Sequence, residues 1–105
     1  MLVSALLLAL QAMPQEQVQP EIQRPYLEAV VAWFLCAKRE IDAVPSRDRR
    51  ERSEQVVDAA LATCAAEEGA VQTVLRRQYN AESVERLMTL VRGESKENMI
   101  GYARR

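Results

Sequence analysis

Apolar positions recur at intervals of three and four along most of the chain after residue 25, the spacing of one face of an α-helix. At about 100° per residue, Tyr26, Val30, Trp33, Phe34, Ala37, Ile41 and Val44 fall on one side, flanked by Leu27 and Val31. This predicts a first helix over 25–44, opened by Pro25 at its first position and stopped by Pro45. The same helix carries a second stripe of small residues, Ala29, Ala32, Cys36 and Ala43, expected to admit a neighbouring helix at short range. A second run, Val56, Val57, Ala60, Leu61, Cys64, Val71, Val74, Leu75 and Tyr79, keeps the helical period straight through Gly69. It predicts one long helix over 53–79, with Gly69 as the place for any kink. Residues 46–52 (SRDRRER) between the two read as a charged turn. Asn80 suits either the stop of the second helix or the N-cap of a third. There Val84, Leu87, Met88 and Val91 share a face, while Glu94, Ser95 and Asn98 interrupt the stripe after Gly93. A firm helix over 81–92 with a weaker helical tail to about 103 is expected. Alternating runs and Asn-Gly or Asp-Gly turns are absent, so the expected fold is all-α: a small antiparallel three-helix bundle.

The two cysteines, Cys36 and Cys64, sharpen this layout. Their spacing excludes a CxxC redox motif, and two thiolates without histidine fall short of the four ligands of a structural zinc site. An even pair in a short chain is best read as one disulfide stapling a helical hairpin. Cys36 lies about 12 Å before Val44 along the first helix and Cys64 about 16 Å after Ser53 along the second, so they meet if the chain bends between Val44 and Ser53.

Residues 1–12 read as a signal-peptide-like segment: Leu2 to Leu10 (LVSALLLAL) carries no charge and is too short to span the roughly 30 Å hydrocarbon core of a bilayer. An apolar helix packed onto the domain and an uncleaved anchor are the alternatives, because no Lys or Arg precedes the run. Residues 13–24, with two prolines and four glutamines, read as a flexible tether, and 25–105 as a single helical domain. A periplasmic or secreted location is the resulting expectation, with no stable membrane span after processing.

Composition narrows the chemistry. Of 105 residues, 49% are hydrophobic, but many of these are alanine and bury little surface each. The net charge of −1 argues against nucleic acid as a partner. With no histidine, the commonest general base and metal ligand is missing, and no cofactor, metal site or catalytic set is predicted. Glu67 and Glu68 are candidate semi-buried carboxylates, expected to flank the apolar stripe or pair with an arginine such as Arg39; acid/base catalysis by the two is the less favoured alternative. Arg47, Arg49, Arg50 and Arg52 form a basic cluster whose forks suit a phosphate or carboxylate partner, against the plainer reading of a solvated turn with internal ion pairs. Tyr26, Trp33 and Phe34 read as core, as do Met88 and Met99.

From Trp33 to Glu68, with a cysteine in the first helix and VVDAALATCAAEE in the second, the chain resembles small exported two-cysteine helical proteins of Gram-negative bacteria. The resemblance implies a periplasmic address and carries no activity or site residues. The function expected is that of a non-enzymatic protein-binding, inhibitor or adaptor module whose partner is another envelope or secreted protein. A carrier of a small apolar or anionic ligand and a carboxylate enzyme using Glu67 and Glu68 are the alternatives.

Overall fold

The computed structural model describes residues 20–105. They form α1 (Pro20–Asp42), α2 (Ser46–Glu51), α3 (Ser53–Thr63), α4 (Ala65–Arg76) and α5 (Ala81–Ala103), with no strand among the described residues. The all-α expectation holds. α3 and α4 follow one another to make a broken second rod, and cross-links fix its direction. Cys36 of α1 is bonded to Cys64, at the α3–α4 junction. On α5, Arg92 pairs with Glu68, Lys96 with Asp58, and Arg104 with Ser53, so residue numbers rise on α5 as they fall on α3–α4. Tyr102 reaches Asp42 at the C-terminal end of α1. The product is an antiparallel bundle of three rods, 43 × 22 × 20 Å, with α2 as a short cap between the first two.

Trp33, Tyr26, Ile41, Leu75, Met88 and Met99 are the largest side chains wholly withdrawn from solvent, joined by Val30, Val57, Val71 and Val91. Every one of the first six lies on the predicted faces or was expected as core. Trp33 and Phe34 stack at 5.6 Å between ring centroids, a geometry that adds to their burial. Burial, and then the charge on Tyr79, push the Tyr26 phenol above its ordinary range.

The element bounds differ from expectation in several places; α1 stops at Asp42 rather than 44 and the second rod at Arg76 rather than 79, each followed by a tightened turn, Val44 N–H to Ile41 O and Gln78 N–H to Leu75 O. α1 begins at Pro20, so residues 20–24, expected as tether, are helical and Pro25 lies inside the helix. Pro20 takes the first-turn position suited to proline, and Pro25, still near the start, removes a single backbone hydrogen bond. Residues 1–12 and 13–19 of the expected leader and tether lie outside the described residues. The charged turn contains the helix α2, which follows Pro45 at its N-cap with Asp48 in its first turn and Arg49 and Arg50 in its last, the signs that suit the helix dipole. The second rod breaks at Cys64, where φ is −94° and ψ 23°, and runs unbroken through Gly69. α5 reaches Ala103, where the helical tail was expected to end, but as one unbroken helix, because Ser95 is small enough to sit buried in the stripe Val84, Met88, Val91, Ser95, Met99, Ala103. Its start is set by Asn80, whose side-chain oxygen accepts from the Ser83 N–H at 2.8 Å.

Gly69 and Gly93 both lie within helices, and a Cβ built at either meets nothing within 4 Å. Neither has a positive φ. Gly69→Ala and Gly93→Ala are therefore each expected to stabilise the fold by about 0.5–1 kcal/mol through lower backbone entropy of the unfolded chain. Urea unfolding of the two single variants and the double one checks both the gain and its additivity.

Candidate functional site

The junction of α1 with the second rod gathers the most chemistry. Cys36 and Cys64 form the disulfide with Cα atoms 6.0 Å apart, Cys36 being 6% exposed and Cys64 fully buried. Of the small-residue stripe meant for close contact, Cys36 alone is buried; Ala32 and Ala43 are exposed and Ala29 is half-buried. Glu67 lies one helical turn beyond Cys64, and a carboxylate oxygen of it lies with the two Sγ atoms in a group spanning no more than 4.8 Å. The chain positions it there because residues three apart on a helix share a face. Glu67 is half-buried and, among the described residues, has no hydrogen bond or ion pair.

Glu68 turns the other way. Its Oε2 accepts from Arg92 Nε at 3.0 Å and lies 2.9 Å from Arg92 Nη2, tying α4 to α5. Arg92, not Arg39, is its partner. The two neighbouring carboxylates thus have separate surroundings, one at the disulfide and one in a fork-shaped ion pair.

The four arginines, on α2 and its C-cap, differ in their surroundings. Arg47 pairs with Glu51 at 3.2 Å in full solvent. Arg49 folds inward to within 4.0 Å of Asp42, and its Nε is buried without a partner among the described residues. Arg50 is exposed, and Arg52 lines a groove of about 360 Å³ with Glu40, Val44 and Asp48.

A polar cluster unseen in the sequence closes the end of the bundle. Tyr102 donates its hydroxyl to Asp42 Oδ1 at 2.6 Å, Lys38 Nζ donates to Asp42 Oδ2 at 2.7 Å, and the same ammonium lies 5.6 Å from the Tyr102 ring centre. Lys38 and Asp42, four apart on α1, were readable as a helical ion pair; Tyr102, 60 residues on, was not. The hydrogen bond from Lys38, then that from Tyr102, holds the Asp42 carboxyl below its ordinary 3.8. A folded-state value below the unfolded one means the cluster stabilises above pH 3.8 and is lost as pH falls through the depressed value. The loss is small because the pair is more than a third exposed. Tyr102→Phe is expected to move the Asp42 carboxyl titration, followed by NMR, upward toward 3.8; an unmoved titration would show that the hydroxyl contributes nothing there.

The outer face of α1 presents an apolar stripe. Val31 is 38% and Leu35 55% exposed, and with Leu27, Glu28 and Ala32 they line a shallow groove of about 370 Å³. Val31 flanks the predicted core face and Leu35 lies off it; the i, i+4, i+8 spacing of Leu27, Val31 and Leu35 is the signal that finds the stripe. Among the described residues no helix is long and apolar enough to cross a membrane.

Comparison with protein-family models, curated proteins and solved structures gives no match. The class of protein is accordingly defined by the fold itself: an all-α helical bundle closed by the Cys36–Cys64 disulfide.

Proposed function

We propose that this protein is exported and acts outside the cytoplasm as a non-enzymatic, protein-binding module whose docking face is the outer side of α1. The stripe Leu27, Val31, Leu35 carries this reading: a fold that buries its large apolar residues with few exceptions leaves two of them, one turn apart, on a single exposed face. Adjacent exposed apolar side chains on one helix face offer a small contact surface, and a stapled helix presents it without ordering cost on binding. The disulfide and the uncharged apolar segment at residues 2–10 support the oxidising compartment. A helix face with anchors at i, i+4 and i+8 fits an apolar groove or a second helix on the partner.

Affinity capture from envelope extract, run in parallel with the wild-type protein and a Val31→Asp, Leu35→Asp variant, tests the reading. A partner retained by the first and lost by the second is expected, with both proteins equally helical by circular dichroism. Identical recovery by both, or recovery of nothing specific, overturns it. Cell fractionation separately checks the location.

A further inference from the structure

The group Cys36, Cys64 and Glu67 has a use that neither the fold nor the docking face explains. In the oxidised chain the sulfurs are bonded to each other and ligate nothing. Opened by reduction, they become two thiols held by opposed helices, and the carboxylate of Glu67 is already within 4.8 Å of both sulfurs. Bond lengths of about 2.3 Å to sulfur and 2.0–2.2 Å to oxygen put tetrahedral ligand atoms roughly 3.5–3.8 Å apart, so the sulfurs need only separate by side-chain rotation around a cation between them. Glu68 is engaged by Arg92, whereas Glu67 has no competing partner among the described residues. Cys64 and Cys36 lie below the surface and Glu67 at its edge, giving a site open on one side.

We propose that the reduced protein binds a thiophilic divalent cation, of the Zn²⁺ type, through the thiolates of Cys36 and Cys64 and the carboxylate of Glu67, with water in the fourth position. A dithiol reductant passes two electrons and two protons to the S–S bond and itself becomes a disulfide; the cation then displaces the two thiol protons to solvent. Two soft sulfur ligands favour Zn²⁺ over Mg²⁺ or Ca²⁺, which prefer oxygen. The bound cation reconnects α1 to the second rod where the disulfide had done so, and thiol–disulfide exchange with an oxidised dithiol, which takes up the two electrons and becomes a dithiol, re-forms the S–S bond and releases the cation. Redox state thus selects between two staples at one position.

The test titrates the full chain, reduced and kept anaerobic, with Co²⁺ as the spectroscopic probe and Zn²⁺ as competitor. Expected are a thiolate-to-cobalt charge-transfer band in the reduced protein, none in the oxidised protein, and loss of the band as Zn²⁺ is added. Loss of an outer-shell partner alone weakens metal sites about 10–100-fold, so Glu67→Ala, which removes a ligand, should weaken binding at least about tenfold. An unfolded chain can also chelate through two thiolates, and the Glu67 variant separates the cases: equal affinity for E67A and wild type, or no charge-transfer band at all, overturns the proposal. Melting of oxidised E67A at the wild-type temperature establishes that the variant folds; melting well below it would make Glu67 a structural residue and overturn the assignment as ligand.

Discussion

Reduction of Cys36–Cys64 in the absence of metal ions is expected to lower the melting midpoint by about 15–25 °C. Closing the loop between positions 28 apart removes unfolded-state entropy equivalent to about 3.5 kcal/mol in the chain-entropy relation. Each kcal/mol moves the midpoint of a domain this size by about 4–8 °C. The effect is large because the whole fold, at ordinary stability per residue, has only roughly 4–13 kcal/mol to lose. The bridge also joins α1 to the second rod at the one place where that rod is broken, so its loss should be felt along both helices. A Cys36→Ala, Cys64→Ala double variant should melt close to the reduced wild type, since alanine leaves no buried hydroxyl or thiol to satisfy. Calorimetry with and without reductant, thiol content being assayed before each scan, is the measurement. An unchanged midpoint after complete reduction would mean that packing alone determines the unfolding temperature.

How much of this was readable beforehand depends on what each residue had to meet. Helical period sufficed for the core, because Trp33, Ile41, Leu75 and Met88 are buried by the faces their own spacing creates. The pairing of Cys36 with Cys64 followed from number and reach along two rods. Hydropathy misjudged Ser95, which is polar in type yet small enough for the stripe of α5, so residues 93–103 read as a weaker tail although they continue the same helix. Pro25 misled in the opposite direction, since either of two prolines five apart could open α1 and local rules do not choose between them. The break at Cys64 involves no helix-breaking residue type, and Gly69, the weaker helix former, remains helical because the packed rod overrides its propensity. The contacts of Tyr102 with Asp42 and of Arg92 with Glu68 depend on how α5 docks, information that no local pattern contains. The position of Glu67 beside the sulfurs was half legible: its i+3 relation to Cys64 is local, but the arrival of Cys36 at the same point is not.

Truncation of Trp33 should be the most damaging single change in the core, and comparison with its near neighbour on α1 shows why. Trp33 has no solvent exposure and stacks on Phe34, whereas Leu35, two residues on, points away from the bundle and is 55% exposed. Trp33→Ala removes the largest buried side chain between the rods and leaves a cavity that fixed helices can fill only in part. A loss of about 3–5 kcal/mol is expected, about a quarter or more of the stability available to such a domain. Leu35→Ala, by contrast, should change stability by no more than about 0.5 kcal/mol while weakening any contact made through the α1 face. Trp33→Phe discriminates between lost volume and lost polarity. The indole Nε1 is buried without a hydrogen-bond partner among the described residues, and a buried unpaired donor costs about 1–3 kcal/mol. Phenylalanine deletes that donor along with part of the ring, so the two changes oppose each other and the net loss should stay within about 1.5 kcal/mol. Urea titrations of the three variants give the order directly: Leu35→Ala near wild type, Trp33→Phe slightly below it, Trp33→Ala far below. A Trp33→Phe loss as large as that of Trp33→Ala would overturn this balance: relief of the unpaired N–H would then offset none of the volume lost from the core of the bundle.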